Sequence, residues 1–371
     1  MALVWPASPD EIVTNQPRLH ALIIGVARYP HLVGGGGAAA LDALELGQVT
    51  IPAQTAPAIV DWLVNKYHNP ACPLGSIELL LSCDGNAQAG FEPATMLAIE
   101  QAFHRWEGRC STVQENIAFF YFCGHGLAAA SQYLLPEDFG DPARLNRWQN
   151  CIDFDRMRVG MRACNAQTQL FFVDACRAPA LGMLDQANVE GQSLITASVW
   201  NTVRCSATYY AANEGGKAYG PPHGATYFSQ ALLQCLDGLA SMNSQGKWVV
   251  NTYTLSSALG NIMHNFAQRF DQPLSCNPDV NGSALIHEPG RATVLASIQC
   301  SSKGANAIAD IELRRGASSF HATITDPKPL IAEVAPGDWE VVVQFPGGEY
   351  PSPVLQTHLL TPPLFEGVDV P

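Results

Sequence analysis

Five stretches of the chain are apolar almost without interruption: Leu19 to Val26 (LHALIIGV), Ser76 to Ser82 (SIELLLS), Asn116 to Gly124, Thr168 to Cys176 and Ser206 to Asn213 (SATYYAAN). Each is short, rich in aromatic and branched residues, and bounded by Gly, Pro, Asn or polar clusters, the pattern of a strand buried on both faces. Between them the apolar positions shift to helical spacing. Ile59, Leu63 and Tyr67 share one face of Ala58 to Tyr67; Met96, Ile99, Phe103 and Trp106 do so along Ala94 to Trp106; Phe228, Ala231, Leu232 and Cys235 do so along Thr226 to Leu236. Strands alternating with helices predict an α/β fold, a mostly parallel sheet with helices on both faces.

The pattern changes near Glu288-Pro289-Gly290. Beyond it, Thr293 to Cys300, Ala307 to Arg314, Phe320 to Ile324, Leu330 to Val334 and Trp339 to Phe345 are short period-two runs separated by turn signals such as Ala335-Pro-Gly-Asp338. This predicts two domains, residues 1–288 and a small all-β, sandwich-like domain over residues 289–371. No active-site motif falls in the second. The four glycines within Gly34 to Ala40 predict a loop.

Composition narrows the function classes. The 371 residues are 47% hydrophobic and 14% charged, which suits a globular chain. A formal charge of -13 disfavours nucleic acid and anionic membranes as partners, because both require a basic face. The start has no basic segment followed by an apolar core, and no run approaches the ~18 apolar residues of a membrane helix. Eleven cysteines, scattered without metal-ligand spacing, fit reduced thiols, and the expected location is the cytoplasm.

Candidate chemistry sits at two strand ends. Ala118-Phe-Phe-Tyr-Phe-Cys-Gly-His125-Gly126 and Phe171-Phe-Val-Asp-Ala-Cys176-Arg177 each deliver one reactive side chain where open parallel sheets place their ligand sites, and Cys176 follows His125 by 51 positions (176 minus 125). A free thiol is a weak nucleophile near neutral pH until a base takes its proton, and His125 is suited to do so and then to protonate a leaving amine. The backbone N–H groups of Gly126 and Cys176 are placed to form an oxyanion hole. The alternative is a core histidine and a buried cysteine.

A Cys about 50 residues after its His is the caspase spacing. The chain resembles a caspase-like cysteine peptidase, of the clan that includes caspases, metacaspases and bacterial relatives. Further segments carry the likeness: Ala21-Leu-Ile-Ile24, Leu41-Asp42-Ala43, Tyr133-Leu-Leu-Pro-Glu-Asp138, Tyr210-Ala-Ala-Asn-Glu214 and Gly224-Ala-Thr-Tyr-Phe228, spanning about residues 15 to 288. The resemblance implies a protein or peptide substrate and limited proteolysis, which bacterial members use in cell death or phage defence.

Specificity stays divided. Asp174 stands where Asp-cutting members carry Gln, and Asp42 matches a second acidic pocket position, so the resemblance favours cleavage after Arg or Lys. Arg177 matches the Arg of the Asp-cutting motif, leaving cleavage after Asp as the alternative. Arg204, in the connection after the nucleophile, is a possible self-cleavage point, with an uncut loop the alternative. No cofactor is required; calcium is an option the resemblance leaves open, with Asp153 and Asp155, near Asp138 and Asp141, as candidate ligands. The β domain is expected to bind a partner or regulate the site, and a catalytically silent scaffold is the alternative to an enzyme.

Overall fold

The computed structural model describes residues 2–6, 8–13, 15–40, 43–83, 90–144, 146–179, 189–196, 199–327, 329–363 and 366–370. They form two compact units, Met1–Leu233 with Met263–Leu285, and Gln234–Ile262 with Ile286–Pro371. Along the chain run β1 (Leu3–Trp5), β2 (Leu19–Val26), α1 (Pro52–Asn65), β3 (Leu74–Ser82), α2 (Met96–Cys110), β4 (Ile117–Cys123), β5 (Gly126–Ala128), β6 (Gln132–Leu134), β7 (Ile152–Asp153), α3 (Phe154–Gly160), β8 (Thr168–Asp174), β9 (Cys205–Tyr210) and α4 (Tyr227–Gln234). They are followed by β10 (Met242–Ser244), β11 (Lys247–Asn251), α5 (Thr252–Phe270), β12 (Asn277–Asn281) and β13 (Leu285–His287).

The first unit is built on a seven-stranded sheet in the order β1-β3-β2-β4-β8-β9-β12. The five inner strands are parallel, and β1 and β12 run antiparallel along the edges. All five predicted strands are these inner strands. In chain order the parallel strands lie 2-1-3-4-5, which puts the reversal of direction, and with it the ligand crevice, at the carboxyl ends of β2 and β4. Leu22, Ile24, Phe120, Phe122, Phe171 and Val173 pack against Ile99, Phe103 and Trp106 of α2 and Phe154 of α3. The opposite face lies against α1 so closely that a Cβ at Gly25 would stand 2.7 Å from Ala56 Cβ. Rings stack across that face, Phe119 on Phe172 at 4.9 Å and Phe172 on Tyr209 at 5.1 Å. Every residue of β2, β4 and β8 except Thr168 is buried, which is why their sequences are unbroken apolar runs.

A fully buried charge, Glu78, interrupts this core. Glu78 on β3 is fully buried and accepts from Arg105 Nη2 at 3.0 Å and Arg109 Nη2 at 2.6 Å, both on α2. Arg109 Nε also donates to Ser76 Oγ at 3.0 Å, and the same hydroxyl lies 2.8 Å from His20 Nδ1. Burial, with Arg109 and Arg18 nearby, lowers the His20 pKa to about 3, so the ring stays neutral among cations.

The second unit contains the hairpin of β10 and β11 and then β14 (Val294–Cys300), α6 (Lys303–Ile308), β15 (Asp310–Arg315), β16 (Ser318–Ala322), β17 (Leu330–Val334), β18 (Gly337–Gln344), β19 (Val354–Leu360) and β20 (Glu366–Val370). A sheet of order β17-β14-β20 and another of order β16-β15-β18-β19 share one core, with Val294 and Ile298 from the first and Ile311, Leu313, Val341 and Val343 from the second. The β domain expected over residues 289–371 lies inside this unit, which also takes in residues 234–262.

Glu78→Gln keeps the side-chain volume and removes the charge that Arg109 needs. A loss of about 3–5 kcal/mol in the unfolding free energy is expected from a urea titration; a loss below ~1 kcal/mol would show that the arginines find water instead.

Candidate active site

β4 and β8 pair in parallel with Cys123 opposite Asp174. The two residues that follow each of these carry the chain off adjacent strand ends, so His125 and Cys176 leave the same edge of the sheet side by side. Both are partly exposed, in contrast to the strands that precede them. Gly124 N donates to Asp174 O at 3.4 Å, extending the pairing one step toward the site.

His125 is oriented by loop atoms. Its Nε2 lies 2.7 Å from Gly47 O, a contact that only an N–H can make as donor, so Nε2 carries the proton and Nδ1 presents a lone pair. Its ring packs on the Tyr29 ring at 4.7 Å between centroids. The Tyr29 hydroxyl accepts from His125 N at 2.8 Å and donates to Leu135 O at 3.1 Å. Burial lowers the His125 pKa against a smaller opposing effect from Gly47 O, leaving the imidazole neutral at pH 7.

Cys176 is held from the opposite side. Ala218 N donates to Sγ at 3.4 Å, and Sγ lies 3.9 Å from Ala218 O. Burial raises the thiol pKa; the Ala218 N–H and the Lys217 ammonium pull it down, and the Asp174 carboxyl pushes it up again. Among the described residues no hydrogen bond joins the thiol to the imidazole. The pair is therefore a neutral thiol and a neutral histidine that presents a nitrogen lone pair.

Gly126 has no room for a side chain. A Cβ there would lie 2.6 Å from Cys176 O, 2.7 Å from Ala175 Cβ and 2.9 Å from Gln132 Nε2. Glycine lets β5 pass directly against the Cys176 peptide. Gln132 Nε2 donates to Cys176 O at 3.1 Å, pinning the same peptide from β6.

Asp174 ends β8 on the α1 side and is 2% exposed. Its Oδ2 accepts from Tyr121 Oη at 2.7 Å and from Thr226 Oγ1, while its buried Oδ1 has no hydrogen-bond partner among the described residues. Burial raises its pKa to about 6, against hydrogen bonds from Thr226 and Tyr121 that favour the charged form.

Other sequence candidates fall elsewhere. Asp42 lies outside the described residues. Arg204 immediately precedes β9, whose first residue pairs with Thr168 at the start of β8, so it sits at the amino edge of the sheet, roughly 25 Å along the strand direction from Cys176. Asp153 caps α3: its Oδ1 accepts from Arg156 N at 3.0 Å and Ser131 Oγ at 2.5 Å. Asp155 Oδ2 accepts from Gln132 N at 2.8 Å and Ser131 Oγ at 3.3 Å. Both carboxylates are thus tied to the β5–β6 turn, and among the described residues no three His, Cys, Asp or Glu side chains gather as a metal site. Both line an open cleft of about 620 Å³ with Tyr133, Val189 and Trp200. Sequence patterns had singled out neither Tyr29 nor Gly47 nor Gln132; a tyrosine just after the first core strand is their only trace, since the other contributions are a backbone carbonyl and an amide. All eleven cysteines are free thiols, and among the described residues no helix is long and apolar enough to cross a membrane.

The profile of the Caspase domain family matches residues 18–272. An uncharacterized protein of Sinorhizobium fredii is 28% identical over 212 residues, 53% of this chain and 56% of that protein. A probable protease of a Desulfuromonadales bacterium is 28% identical over 170 residues, 42% of this chain and 18% of that protein. The chain therefore aligns with about half of the first relative's length and much less of the second's. Caspase-1 of Spodoptera frugiperda superposes over 76% of this chain and 94% of its own with a TM-score of 0.44 and 13% identity.

A neutral resting thiol has a measurable signature. Alkylation of Cys176 by iodoacetamide, followed by mass spectrometry, is expected to rise with pH along a titration centred above the ordinary thiol value of ~8.5. Lys217→Gln should slow it further at a fixed pH. A rate already at its plateau near neutral pH would reveal a preformed thiolate instead.

Proposed function

The chain belongs to the Caspase domain family, and from that we propose that it is a cysteine endopeptidase cutting partner proteins after Arg or Lys through an acyl-enzyme on Cys176. The observation that carries this reading is the parallel register of β4 and β8, which brings His125 and Cys176 off neighbouring strand ends with the histidine's Nδ1 unprotonated. As Sγ attacks the scissile carbonyl carbon, its proton passes to His125 Nδ1, and the carbonyl oxygen gathers negative charge against the N–H groups of Gly126 and Cys176. Collapse expels the amine, which takes the proton from the imidazolium. Water, deprotonated by the same nitrogen, then hydrolyses the thioester and restores the thiol.

Cleavage after a basic residue is supported by Asp174. A substrate guanidinium meeting its unpartnered Oδ1 would add a charge-assisted bond at a site where the carboxyl is otherwise poorly stabilised as an anion. The resemblance supplies Asp42 as a second acidic candidate for the same role. The reading extends to limited proteolysis in the cytoplasm, of the kind used in cell death or phage defence, with the β unit contacting a partner or governing access. Calcium enters as an optional activator, with Asp153 and Asp155 as the carboxylates to test. Self-cleavage at Arg204 would run between molecules, because the arginine and the nucleophile lie at opposite edges of one sheet.

Fluorogenic peptides ending in Arg, Lys or Asp, with and without calcium, test the reading against Cys176→Ala. Cleavage after Arg or Lys that disappears in the variant is expected; cleavage after Asp alone would overturn the pocket assignment.

Asp174→Asn separates pocket from fold. The native pKa of about 6 exceeds the ordinary carboxylate value, so the folded state holds the extra proton, and the carboxyl's contribution to stability, complete at low pH, is lost as pH rises through about 6. At pH 8 the variant should therefore be more stable, on the order of 1–3 kcal/mol, while losing cleavage after Arg and Lys. A destabilised variant that still cuts after Arg would refute both parts. Finally, mixing active chain with a tagged Cys176→Ala chain should give any cut at Arg204 at a rate proportional to active-chain concentration.

A further inference from the structure

Gly47, whose carbonyl holds the His125 ring, lies on a segment with little regular structure of its own. Two residues before it, Leu44 and Glu45 stand in succession at φ 53° and 58°, a left-handed conformation that residues with a side chain adopt rarely and in pairs more rarely still. Such backbone persists where its surroundings over-determine it. Leu44 is anchored in the hydrophobic core, with Leu46 and Val49 packed against it, and the polar surroundings include one side chain and a short ladder. Gln48 Oε1 accepts from Tyr29 N at 2.9 Å, while its Nε2 donates to Tyr29 O at 2.9 Å and to Val33 O at 3.1 Å. Val33 N donates to Leu46 O at 3.1 Å, and Val33 and Gly47 form an isolated parallel bridge.

The carboxamide thus occupies both backbone groups of Tyr29, the residue whose ring and hydroxyl bear on His125, and lies one peptide from the carbonyl that receives Nε2–H. Its orientation is unambiguous, because reversing it would set Oε1 against two carbonyl oxygens. We propose that Gln48 is a positioning residue: by clamping the Gly47 segment to the Tyr29 loop it holds the carbonyl at Nε2 and so determines that Nδ1 is the nitrogen that takes the thiol proton. Gln48 touches neither the thiol nor the imidazole. Its catalytic consequence rests on the peptidase reading above, whereas its effect on the His125 tautomer does not.

The experiment uses the full chain with histidines labelled by ¹⁵N. Gln48→Met removes all three hydrogen bonds at similar volume, and Gln48→Glu keeps the acceptor for Tyr29 N while setting a carboxylate against two carbonyls. Gln48 is partly exposed, so neither change empties a core position. In the wild type the His125 ring should show the Nε2–H tautomer alone near pH 8. Both variants should show a mixture with the Nδ1–H form, and kcat on an Arg-terminated fluorogenic peptide should fall on the order of 10²-fold with KM little changed, the penalty of a misplaced catalytic group. A folded variant with the wild-type tautomer and kcat within about twofold of wild type would overturn the proposal, as would loss of folding in both variants, which would make Gln48 a stability element. If the wild type cuts no peptide while the tautomer still changes, the clamp stands and the peptidase reading falls.

Discussion

The pairing of β4 with β8 is the constraint on which the site depends. Both strands are buried on both faces, and each face is filled by rings: Phe119 on Phe172 on the α1 side, Phe120 near Phe171 with Phe154 set edge-on against it on the α2 side. A slip of one residue would exchange the two faces of a strand and drive each ring into a space shaped for its neighbour. Each buried aromatic is worth roughly 1.5–3 kcal/mol from burial alone, and each good ring pair about another 0.5–1.5. Register is therefore held by far more free energy than the site itself contains. The adjacency of His125 and Cys176 is a consequence of hydrophobic packing some way below them.

Rigid strand ends fix where the reactive residues begin, and loops decide what they can do. The imidazole is oriented by a carbonyl from the segment after β2 and by a tyrosine just beyond that strand; the sulfur is held by a backbone amide from the segment after β9; the Cys176 carbonyl is pinned by Gln132 from the small sheet after β4. Three connections from three different strands converge at the carboxyl edge, at the switch point where the 2-1-3-4-5 order leaves a crevice. Backbone groups supply much of this. They orient without titrating, which leaves the Cys176 thiol, the His125 imidazole and the nearby Asp174 as titrating groups beside the Tyr29 hydroxyl and the Lys217 ammonium.

The inner strands were legible because burial on both faces writes an uninterrupted apolar run: Leu19–Val26 is bounded at the same residues in sequence and structure, and the other four inner strands differ at their ends by a few residues. The edge strand β12 was not legible. Its sequence, Asn-Pro-Asp-Val-Asn, covers no core and pairs on one side only, so the backbone ladder with β9 forms without any apolar signal. The 19-residue α5 escaped for a related reason, its apolar positions being interleaved with Ser, Asn, Thr and Gly. At the site, the sequence marked His125 and Cys176 as candidates because their chemistry is in their side chains. It could not mark Gly47 or Ala218, which act through atoms that every residue has, and distance along the chain could not say that Arg204 and Cys176 lie at opposite ends of the sheet's strands.

On the proposed reading, Asp174 joins specificity to reactivity. It is buried by the same sheet that aligns the pair, costs stability when ionised, and sits close enough to Cys176 to raise the thiol's pKa, against Lys217, which lowers it. An ionised Asp174 therefore favours the protonated thiol. On the proposed reading, a substrate cation bonded to that carboxylate cancels its field at the sulfur while leaving the Lys217 charge in place, so that the thiolate becomes easier to form when the correct side chain is seated. An uncharged or acidic side chain offers no such cancellation. The same carboxylate would then discriminate twice, once by attraction and once by withholding the nucleophile, and it would do so without any movement of the strands that carry it.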